Sequence, residues 1–327
     1  MLLLLAALLQ AAPPGAGPSG LLVVANKQAA TASLIDVAAG RTIATLPTGT
    51  GPHEAAVSRD GRWAVITDYG AQTPGSSLTV LDLERRAVAR TVDLVVFRRP
   101  HGVAFLPGDS LVAVTVEADR AVLVVHVGRG EVVAQVATDQ RGSHMIAVVA
   151  DGRRGYTANI PDGSITEVDL VAATAPRRLA VATMTEGVAV TPDGGQVWVG
   201  SNDAHTVTVV DTRAWRAVDT IPGTTTPYRV TITPDGRTAL VSYPNENAVR
   251  LFDTGTRAEL ATVAIPGPRA GEAAPLGSTV SADSRWAYIA LAAQDAVAVV
   301  DLQARRVLKY LDTGPGPDVI AIAAPRR

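Results

Sequence analysis

A unit of about 42 residues recurs along almost the whole sequence, and no other feature limits the possible folds as strongly. The clearest copies share a turn, Pro192-Asp193-Gly194 in one and Pro234-Asp235-Gly236 in the next. An alternating apolar run precedes each turn and another follows it, which predicts a β-hairpin. A third run ends in an apolar residue and Asp, and a fourth run returns after a short turn. Each repeat therefore predicts four antiparallel strands.

The number of repeats and the two ends of the chain together predict a closed ring. The end of the third run recurs seven times, at Ile35-Asp36, Leu81-Asp82, Val125-His126, Val168-Asp169, Val210-Asp211, Phe252-Asp253 and Val300-Asp301. Four-stranded sheets that cannot bury both faces alone are the blades of β-propellers. The first repeat, near Leu21, lacks an innermost strand, and residues 317–323 can supply one. We predict an all-β, seven-bladed β-propeller over residues 20–327, closed by the C-terminal strand joining the N-terminal blade.

Composition excludes several classes of function. The net charge of −2 comes from scattered basic and acidic residues, so we expect no nucleic-acid partner. The absence of cysteine excludes disulfides, thiolate metal sites and a cysteine nucleophile. The sequence has neither a phosphate-binding glycine loop nor a Gly-x-Ser-x-Gly motif, the main signals of nucleotide chemistry and serine hydrolysis. We expect a monomer.

The N-terminal residues 1–19 resemble a signal peptide and linker. An apolar run, residues 1–9, is followed by Gln10-Ala11-Ala12 and then by Pro13-Pro14-Gly15. The run is too short to span a bilayer, so we expect no membrane span. It lacks the usual initial Lys or Arg, which leaves open a different start or a disordered tail. We predict export to the periplasm or the extracellular space.

Short motifs within the repeats resemble a known family. Tyr156-Thr157-Ala158-Asn159, residues 23–26 (Val-Val-Ala-Asn) and residues 209–212 (Val-Val-Asp-Thr) resemble those of the YVTN-repeat, or YncE-like, β-propellers. The resemblance covers residues 20–327. It implies the propeller fold and a ligand-binding or protein-interaction role, since members of that family include surface-layer proteins, binding proteins and periplasmic proteins.

One rim of the predicted ring gathers the polar residues of interest. The innermost strand starts beside the end of its antiparallel neighbour, so both positions lie on one rim. The second positions of the innermost strands are, in ring order, Asp318, His53, His101, His144, Glu186, Tyr228 and Leu276. The ends of the second strands, within one residue, are Asn26, Asp68, Glu117, Asn159, Asn202, Tyr243 and Leu291. Three of the five histidines thus share a register in consecutive blades.

Blade duplication could explain these histidines without any function, whereas the divergence of the same position to Tyr and Leu in later blades favours a site. Imidazole and carboxylate groups are ligands of Zn, Mn, Fe and Ni. We predict that this rim holds one such divalent ion. The alternative is that the protein has no cofactor. The predicted ligands are His53, His101, His144, Glu186 and Glu117.

Two functions remain open, and the sequence does not decide whether the protein is an enzyme. As a binding scaffold, the protein would hold a small anionic or sugar-derived ligand, or another exported protein, at its His-rich pocket. The predicted ligand-binding residues are Asp68, Asn159, Asn202 and Arg229. As a metal-dependent lyase or lactonase, it would use Glu54, Glu186 or Tyr69 to move a proton and Arg229 to hold an anionic substrate.

The opposite rim carries repeated residues for which we predict a structural role. Asp82, Asp211 and their counterparts follow the third strand of each blade, where an Asp side chain can accept hydrogen bonds from its own turn. His126 occupies the same position in the third blade. Trp63, Trp198 and Trp286 begin strands, and we expect these side chains to pack between blades.

Overall fold

A computed structural model describes residues 17–324, which form 28 β-strands and two single 3₁₀ turns. The segment 1–19, predicted to be a signal peptide and linker, lies almost entirely outside the described residues. Within residues 17–324, no helix has the length and hydropathy needed to cross a membrane.

The strands form seven separate four-stranded sheets, one for each blade. Blade 1 consists of β28 (Pro317–Ala323), β1 (Leu21–Asn26), β2 (Thr31–Asp36) and β3 (Arg41–Pro47). Blade 2 consists of β4 (Pro52–Val57), β5 (Trp63–Gly70), β6 (Pro74–Asp82) and β7 (Ala87–Asp93). Blade 3 consists of β8 (Pro100–Phe105), β9 (Leu111–Val116), β10 (Ala121–His126) and β11 (Glu131–Ala137). Blade 4 consists of β12 (Ser143–Val148), β13 (Arg154–Asn159), β14 (Ser164–Asp169) and β15 (Thr174–Ala180).

The remaining blades repeat this order. Blade 5 consists of β16 (Thr185–Val190), β17 (Gln196–Ser201), β18 (Thr206–Asp211) and β19 (Arg216–Pro222). Blade 6 consists of β20 (Arg229–Ile232), β21 (Thr238–Tyr243), β22 (Ala248–Asp253) and β23 (Glu259–Ala264). Blade 7 consists of β24 (Pro275–Val280), β25 (Trp286–Leu291), β26 (Ala296–Asp301) and β27 (Arg306–Asp312). The 3₁₀ turns span Glu117–Asp119 and Pro244–Glu246.

The ring closes as predicted, because the last strand belongs to the first blade. Strand β28 pairs with β1 in antiparallel register, from Leu21 opposite Ala323 to Asn26 opposite Pro317. The all-β, seven-bladed architecture is therefore confirmed. Because β28 covers β1, the inner edge of β1 is paired and blade 1 has four strands like the other blades.

The blades are held together by apolar side chains packed between neighbouring sheets. Leu22 and Val24 of blade 1 pack with Trp286 and Tyr288 of blade 7, and Trp198 is fully buried among residues of blades 5 and 6. The predicted packing of Trp198 and Trp286 between blades is confirmed. The outermost strands, such as β11, alternate exposed and partly buried residues because they face solvent on one side.

The two rims of the ring differ in their connections. We call the rim at which the innermost strands β28, β4, β8, β12, β16, β20 and β24 begin the histidine rim. The hairpins between the first two strands at the opposite rim have five residues in blades 2 to 7. The connections between blades at the histidine rim range from four residues, 48–51, to ten residues, 265–274. Variation in length is thus concentrated on one rim.

Candidate functional site

The innermost strands start with a bulge, and the bulge aims two successive side chains into the channel. In blade 2, Pro52 lies opposite Asp68 and Ala55 opposite Ile66, so three residues on β4 span two on β5. The same irregularity occurs at the start of β8, β12, β16 and β24. A bulge places an extra residue and turns its side chain away from the regular alternation. As a result, both the second and third residues of these strands can contact other blades.

The second residues of blades 2, 3 and 4 bring three imidazoles into contact. The ring centres of His53 and His101 are 4.1 Å apart, and those of His101 and His144 are 3.5 Å apart. The outer pair, His53 and His144, is separated by 6.4 Å. All three side chains are buried. The structure therefore places the three predicted histidine ligands together in a bent row with His101 in the middle.

His101 is fully buried, and neither of its ring nitrogens has a hydrogen-bond partner. Burial and the nearby positive charge of His144 hold the pKa of His101 well below its usual range, so this ring is neutral. A buried polar group without a partner carries a large desolvation penalty. The two nitrogens of His101 are thus the leading candidates in this cluster for atoms that bind a ligand.

His144 is bound on both sides by carboxylates. Its Nδ1 contacts Glu117 Oε1, and its Nε2 lies 3.1 Å from Glu186 Oε1. Burial opposes protonation, but these two hydrogen-bonded carboxylates raise the pKa of His144 to about 9. Burial in turn opposes ionisation of Glu186, yet His144 holds the pKa of this carboxyl below its usual range. Asn202 also joins the group, since its Nδ2 donates to Glu186 Oε2 over 2.8 Å.

Tyr69 links the cluster to the edge of the rim. Its hydroxyl donates to Glu117 Oε2 over 2.6 Å, while the Arg99 guanidinium lies 4.6 Å above its ring. Burial and the Glu117 carboxylate raise the pKa of the Tyr69 phenol above its usual range. Tyr69 therefore stays protonated and acts as a hydrogen-bond donor in this arrangement.

His53 contacts a carboxylate and an ammonium from blade 1. Its Nδ1 contacts Asp318 Oδ2, and its Nε2 lies 3.1 Å from Lys27 Nζ, which is also 3.3 Å from Asp318 Oδ2. Burial would raise the pKa of Asp318, but His53 and Lys27 lower it to about 2. Sequence reasoning missed Lys27. The available signal was its position, because Lys27 follows the residue that pairs with the start of the innermost strand, as Tyr69, Glu117 and Asn202 do in other blades.

The third residues of the innermost strands, and Arg229 at the equivalent position at the start of β20, lie next to the imidazoles. Arg229 Nη2 donates to Glu54 Oε1 over 2.6 Å, and its Nη1 lies 2.8 Å from Met145 Sδ. Glu54 and Arg229 are both nearly inaccessible to solvent. Burial disfavours the charged guanidinium, but Glu54 and other carboxylates raise the pKa of Arg229 above its usual range. Glu54, predicted to move a proton, and Arg229, predicted to hold a substrate, are thus paired with each other.

Large and small residues alternate at this third position. The residues are, in ring order, Glu54, Gly102, Met145, Gly187, Arg229, Gly277 and Val319. A Cβ on Gly102 would lie 2.7 Å from the Ile146 nitrogen, and one on Gly277 would lie 2.5 Å from the Asp318 oxygen. The glycines therefore allow neighbouring innermost strands to approach closely, while Glu54, Met145 and Arg229 occupy the space between them.

The structure does not bring Asp68 and Asn159, two of the predicted ligand-binding residues, into this cluster. Asp68 accepts hydrogen bonds from Ser77 and Thr79 of the adjacent strand. Asn159 donates in the same way to Ser164 and Thr166. Both are buried within their own blades. Burial raises the pKa of Asp68 to about 6 in spite of these hydrogen bonds.

The ligand atoms suitable for a metal fall into two groups within the described part of the chain. One contains His53, Glu54 and His101, and the other contains His101, Glu117 and His144. In each group the ligand atoms lie within 4.8 Å of one another. Imidazole and carboxylate donors at such separations suit a divalent transition ion after modest adjustment. His101 belongs to both groups.

Comparison with solved structures supports the fold. The chain is similar to hydrazine synthase of Kuenenia stuttgartiensis, with 19% identity and a TM-score of 0.73 over 83% of this chain and 89% of that chain. It is also similar to a functionally unknown protein from Desulfotomaculum acetoxidans DSM 771, with 13% identity and a TM-score of 0.78 over 94% of this chain and 100% of that chain. At these identities the similarity extends to the fold alone.

Sequence comparison identifies a family. No curated protein matches the chain. The sequence pattern of the cytochrome D1 heme domain matches residues 107–324, which include His144, Glu186 and Arg229 but not His53 or His101. The propeller part of the resemblance drawn above is confirmed, whereas the YVTN-repeat family specifically is not. Because the match covers about two-thirds of the sequence, the chain belongs to the cytochrome D1 heme domain family.

Proposed function

We propose that this protein binds a divalent transition metal ion at the histidine rim and uses it to hold a small anionic or sugar-derived ligand. The observation that carries the proposal is the buried ring of His101, whose two nitrogens lack partners among imidazoles and carboxylates. Zn, Mn, Fe and Ni all accept this set of donors. The chain would then be a metal-binding propeller with a ligand site at the mouth of its channel.

The charge of the cluster also favours a cation. The carboxylates of Glu54, Glu117, Glu186 and Asp318 outnumber the permanent cations Lys27 and Arg229. A proton on His144 offsets one of the two remaining negative charges. A divalent ion could replace that proton and also displace the Lys27 ammonium from His53. The stacked rings would separate by about 1 to 2 Å, because two imidazoles on one ion have centres about 5 Å apart.

Haem, which the family name includes, does not fit these residues. His101 has an imidazole close on each side, at 4.1 and 3.5 Å, so no macrocycle can lie against it. Both ring nitrogens of His53 and of His144 contact protein groups. An axial ligand needs a free nitrogen facing an open space. We expect no Soret band in the purified protein and none after titration with haemin; a stoichiometric Soret band lost on changing His144 to Ala would contradict this.

Metal content of the purified protein tests the proposal directly. We expect at least one equivalent of a transition metal by elemental analysis, and its loss in the variant H53A/H101A/H144A. The matched control is H126A/H205N, which removes the other two histidines and keeps an Asn where His205 has a φ of 53°. Circular dichroism verifies folding of both variants. No metal in the wild type, even after incubation with Zn or Mn, would overturn the proposal.

One observation favours an enzymatic alternative, a metal-dependent lyase or lactonase. The Tyr69 phenol donates a hydrogen bond to Glu117, which is itself a predicted metal ligand, so a protonated hydroxyl lies beside the predicted ion. A metal ion could polarise a substrate carbonyl, and Tyr69 could protonate the leaving oxygen. Turnover of lactones or uronates that disappears in Y69F, while metal content is retained, would establish this activity. Absence of turnover would leave the binding function.

We also propose that the protein acts in the periplasm or outside the cell, as the apolar run in residues 1–19 suggests. Fractionation followed by N-terminal sequencing tests this proposal. Mature protein that lacks the apolar run and is found outside the cytoplasm is the expected result. Cytoplasmic protein with an intact N-terminus would contradict it.

A further inference from the structure

We propose that the histidine rim holds two divalent ions and that His101 bridges them. The inference rests on the metal-binding function proposed above and specifies the number of ions. One ion would bind to His53, Glu54 and His101, and the other to His101, Glu117 and His144.

The positions of the three rings oppose a single shared ion. Within residues 17–324, there are two groups of closely spaced potential metal ligands, and neither group contains all three histidines. An ion lies about 3.2 Å from the centre of each imidazole that binds it, because metal–nitrogen bonds are about 2.0–2.1 Å. The centres of His53 and His144 are 6.4 Å apart, which approaches the in-line limit for one ion, and His101 lies close to both. One ion bound to all three rings would thus hold His53 and His144 in line on opposite sides, whereas zinc ligands are arranged tetrahedrally.

His101 has the properties of a bridging ligand. It is the one member common to both donor groups, and its two nitrogens lie on different edges of the ring, so each can face a different ion. Both nitrogens are buried without a hydrogen-bond partner, so neither has a protein contact to lose. Binding of the second ion requires loss of the remaining N–H proton, which passes to water. The resulting imidazolate adds one negative charge between two dications.

The carboxylates are distributed in a way that suits two ions. Glu54 lies in the group that contains His53, and Glu117 lies in the group that contains His144. Each ion would therefore have two imidazole donors and one carboxylate, which leaves a position free for a ligand. Asp318 and Glu186 contact the outer histidines and would orient them.

Zinc stoichiometry is the test. Protein stripped with a chelator is titrated with ZnCl₂ alone, and bound zinc is measured after gel filtration. We expect two equivalents in the wild type and in the control variant H205N, and one in E117Q. The variant E54Q should also retain one, although it leaves Arg229 without its partner, so E117Q is the primary variant. H101A should lose both high-affinity sites.

Copper provides a second measurement. Two Cu²⁺ ions bridged by one imidazolate couple their spins, so the wild type loaded with CuCl₂ should show a strongly reduced electron paramagnetic resonance signal. E117Q should show the full signal of one isolated Cu²⁺.

The outcomes separate the two proposals. One equivalent of zinc in the wild type, with an uncoupled copper signal, would overturn the bridged pair and leave the metal-binding function intact. Two equivalents that persist in both E54Q and E117Q would overturn the assignment of ligands. No bound zinc at all would overturn both proposals.

Discussion

The two rims of this propeller are built from the same repeat, yet they differ in regularity. At the rim opposite the histidines, an Asp closes the third strand in six blades, and its side chain accepts hydrogen bonds from the following turn, as in Asp82 with the amides of Glu84 and Arg85 and Asp211 with those of Arg213 and Ala214. The predicted structural role of these residues is confirmed. Even His126, which replaces Asp in blade 3, accepts a hydrogen bond from the Arg129 amide.

At the histidine rim, equivalent positions differ from blade to blade. The second residue of the innermost strand is a histidine in three blades and Glu186 or Asp318 in two others. These residues contact groups from other blades rather than their own turn. Residues that repeat from blade to blade thus stabilise the turn of their own blade, whereas residues that vary form contacts between particular blades. The following predictions test this division, beginning with the largest expected effect.

The pair Glu54–Arg229 should be the most sensitive charged contact in the protein. R229M leaves the Glu54 carboxylate buried without its partner, so we expect a loss of about 3–5 kcal/mol in the free energy of unfolding. Urea denaturation measures it. The double variant E54Q/R229M should recover a large part of the loss. The exposed Arg237 at the opposite rim provides the control, since R237M should change stability by about 0.5 kcal/mol or less. Equal effects at both rims would contradict the comparison.

Asp68 should make stability depend on pH. Its pKa in the folded protein is about 6, above its usual value, so its contribution is fully present below about pH 4 and is lost as pH rises through 6. D68N removes this loss, and Asn26 and Asn159 occupy the same position with similar hydroxyl partners. Relative to the wild type, D68N should gain up to about 3 kcal/mol between pH 4 and pH 7.5. A constant difference across this range, measured by urea denaturation at each pH, would exclude the effect.

Loss of one repeated turn at the opposite rim should be milder. D82A removes an acceptor for two backbone amides and should cost about 1–2 kcal/mol. Thermal and urea denaturation measure the loss, and metal content should equal that of the wild type. Loss of metal in D82A would show that the two rims are not independent.

The smallest effect is expected at Lys27, whose ammonium lies between His53 and Asp318. K27M removes a cation that competes with the metal, so we expect zinc to bind about 3- to 10-fold more tightly, which corresponds to about 1 kcal/mol. Competition with a chromophoric zinc chelator measures this affinity, and K309M serves as a control, because the half-buried Lys309 lies on the outermost strand β27 and donates to the Val37 oxygen. Weaker binding in K27M would assign Lys27 a supporting role instead.

The sequence was sufficient to predict the ring because the fold repeats. Seven copies of one turn and strand pattern, and a first repeat without its inner strand, predicted both the blade number and the closure by residues 317–323. It also predicted that His53, His101 and His144 meet, since they share a register in consecutive blades.

The details of the site could not be predicted in the same way. The bulge at the start of β4 is an irregularity of pairing that leaves no clear mark in the sequence, and it allows the successive residues His53 and Glu54 both to contact other blades. Glu54 and Arg229 are 175 positions apart in the sequence, and their pairing depends on how the innermost strands are arranged around the channel. Asp68 and Lys27 belong to adjacent positions along the second strand: Asp68 bonds within its own blade, whereas Lys27, one position later in its blade, contacts His53. A shift of one residue along a strand decides which side chain faces the channel, and the alignment of the repeats in the sequence did not fix that shift.

The alternation of large and small residues around the channel has a further consequence, because the number of blades is odd. Gly102, Gly187 and Gly277 let their strands approach the backbone of the next blade, which joins six of the seven innermost strands into three couples. Seven is odd, so one strand must lie outside these glycine contacts, and that strand is β4. A ring of six or eight such blades would have no unmatched member. The buried carboxylate of Glu54 and the first histidine of the row are both carried by the one innermost strand that takes no part in these glycine contacts.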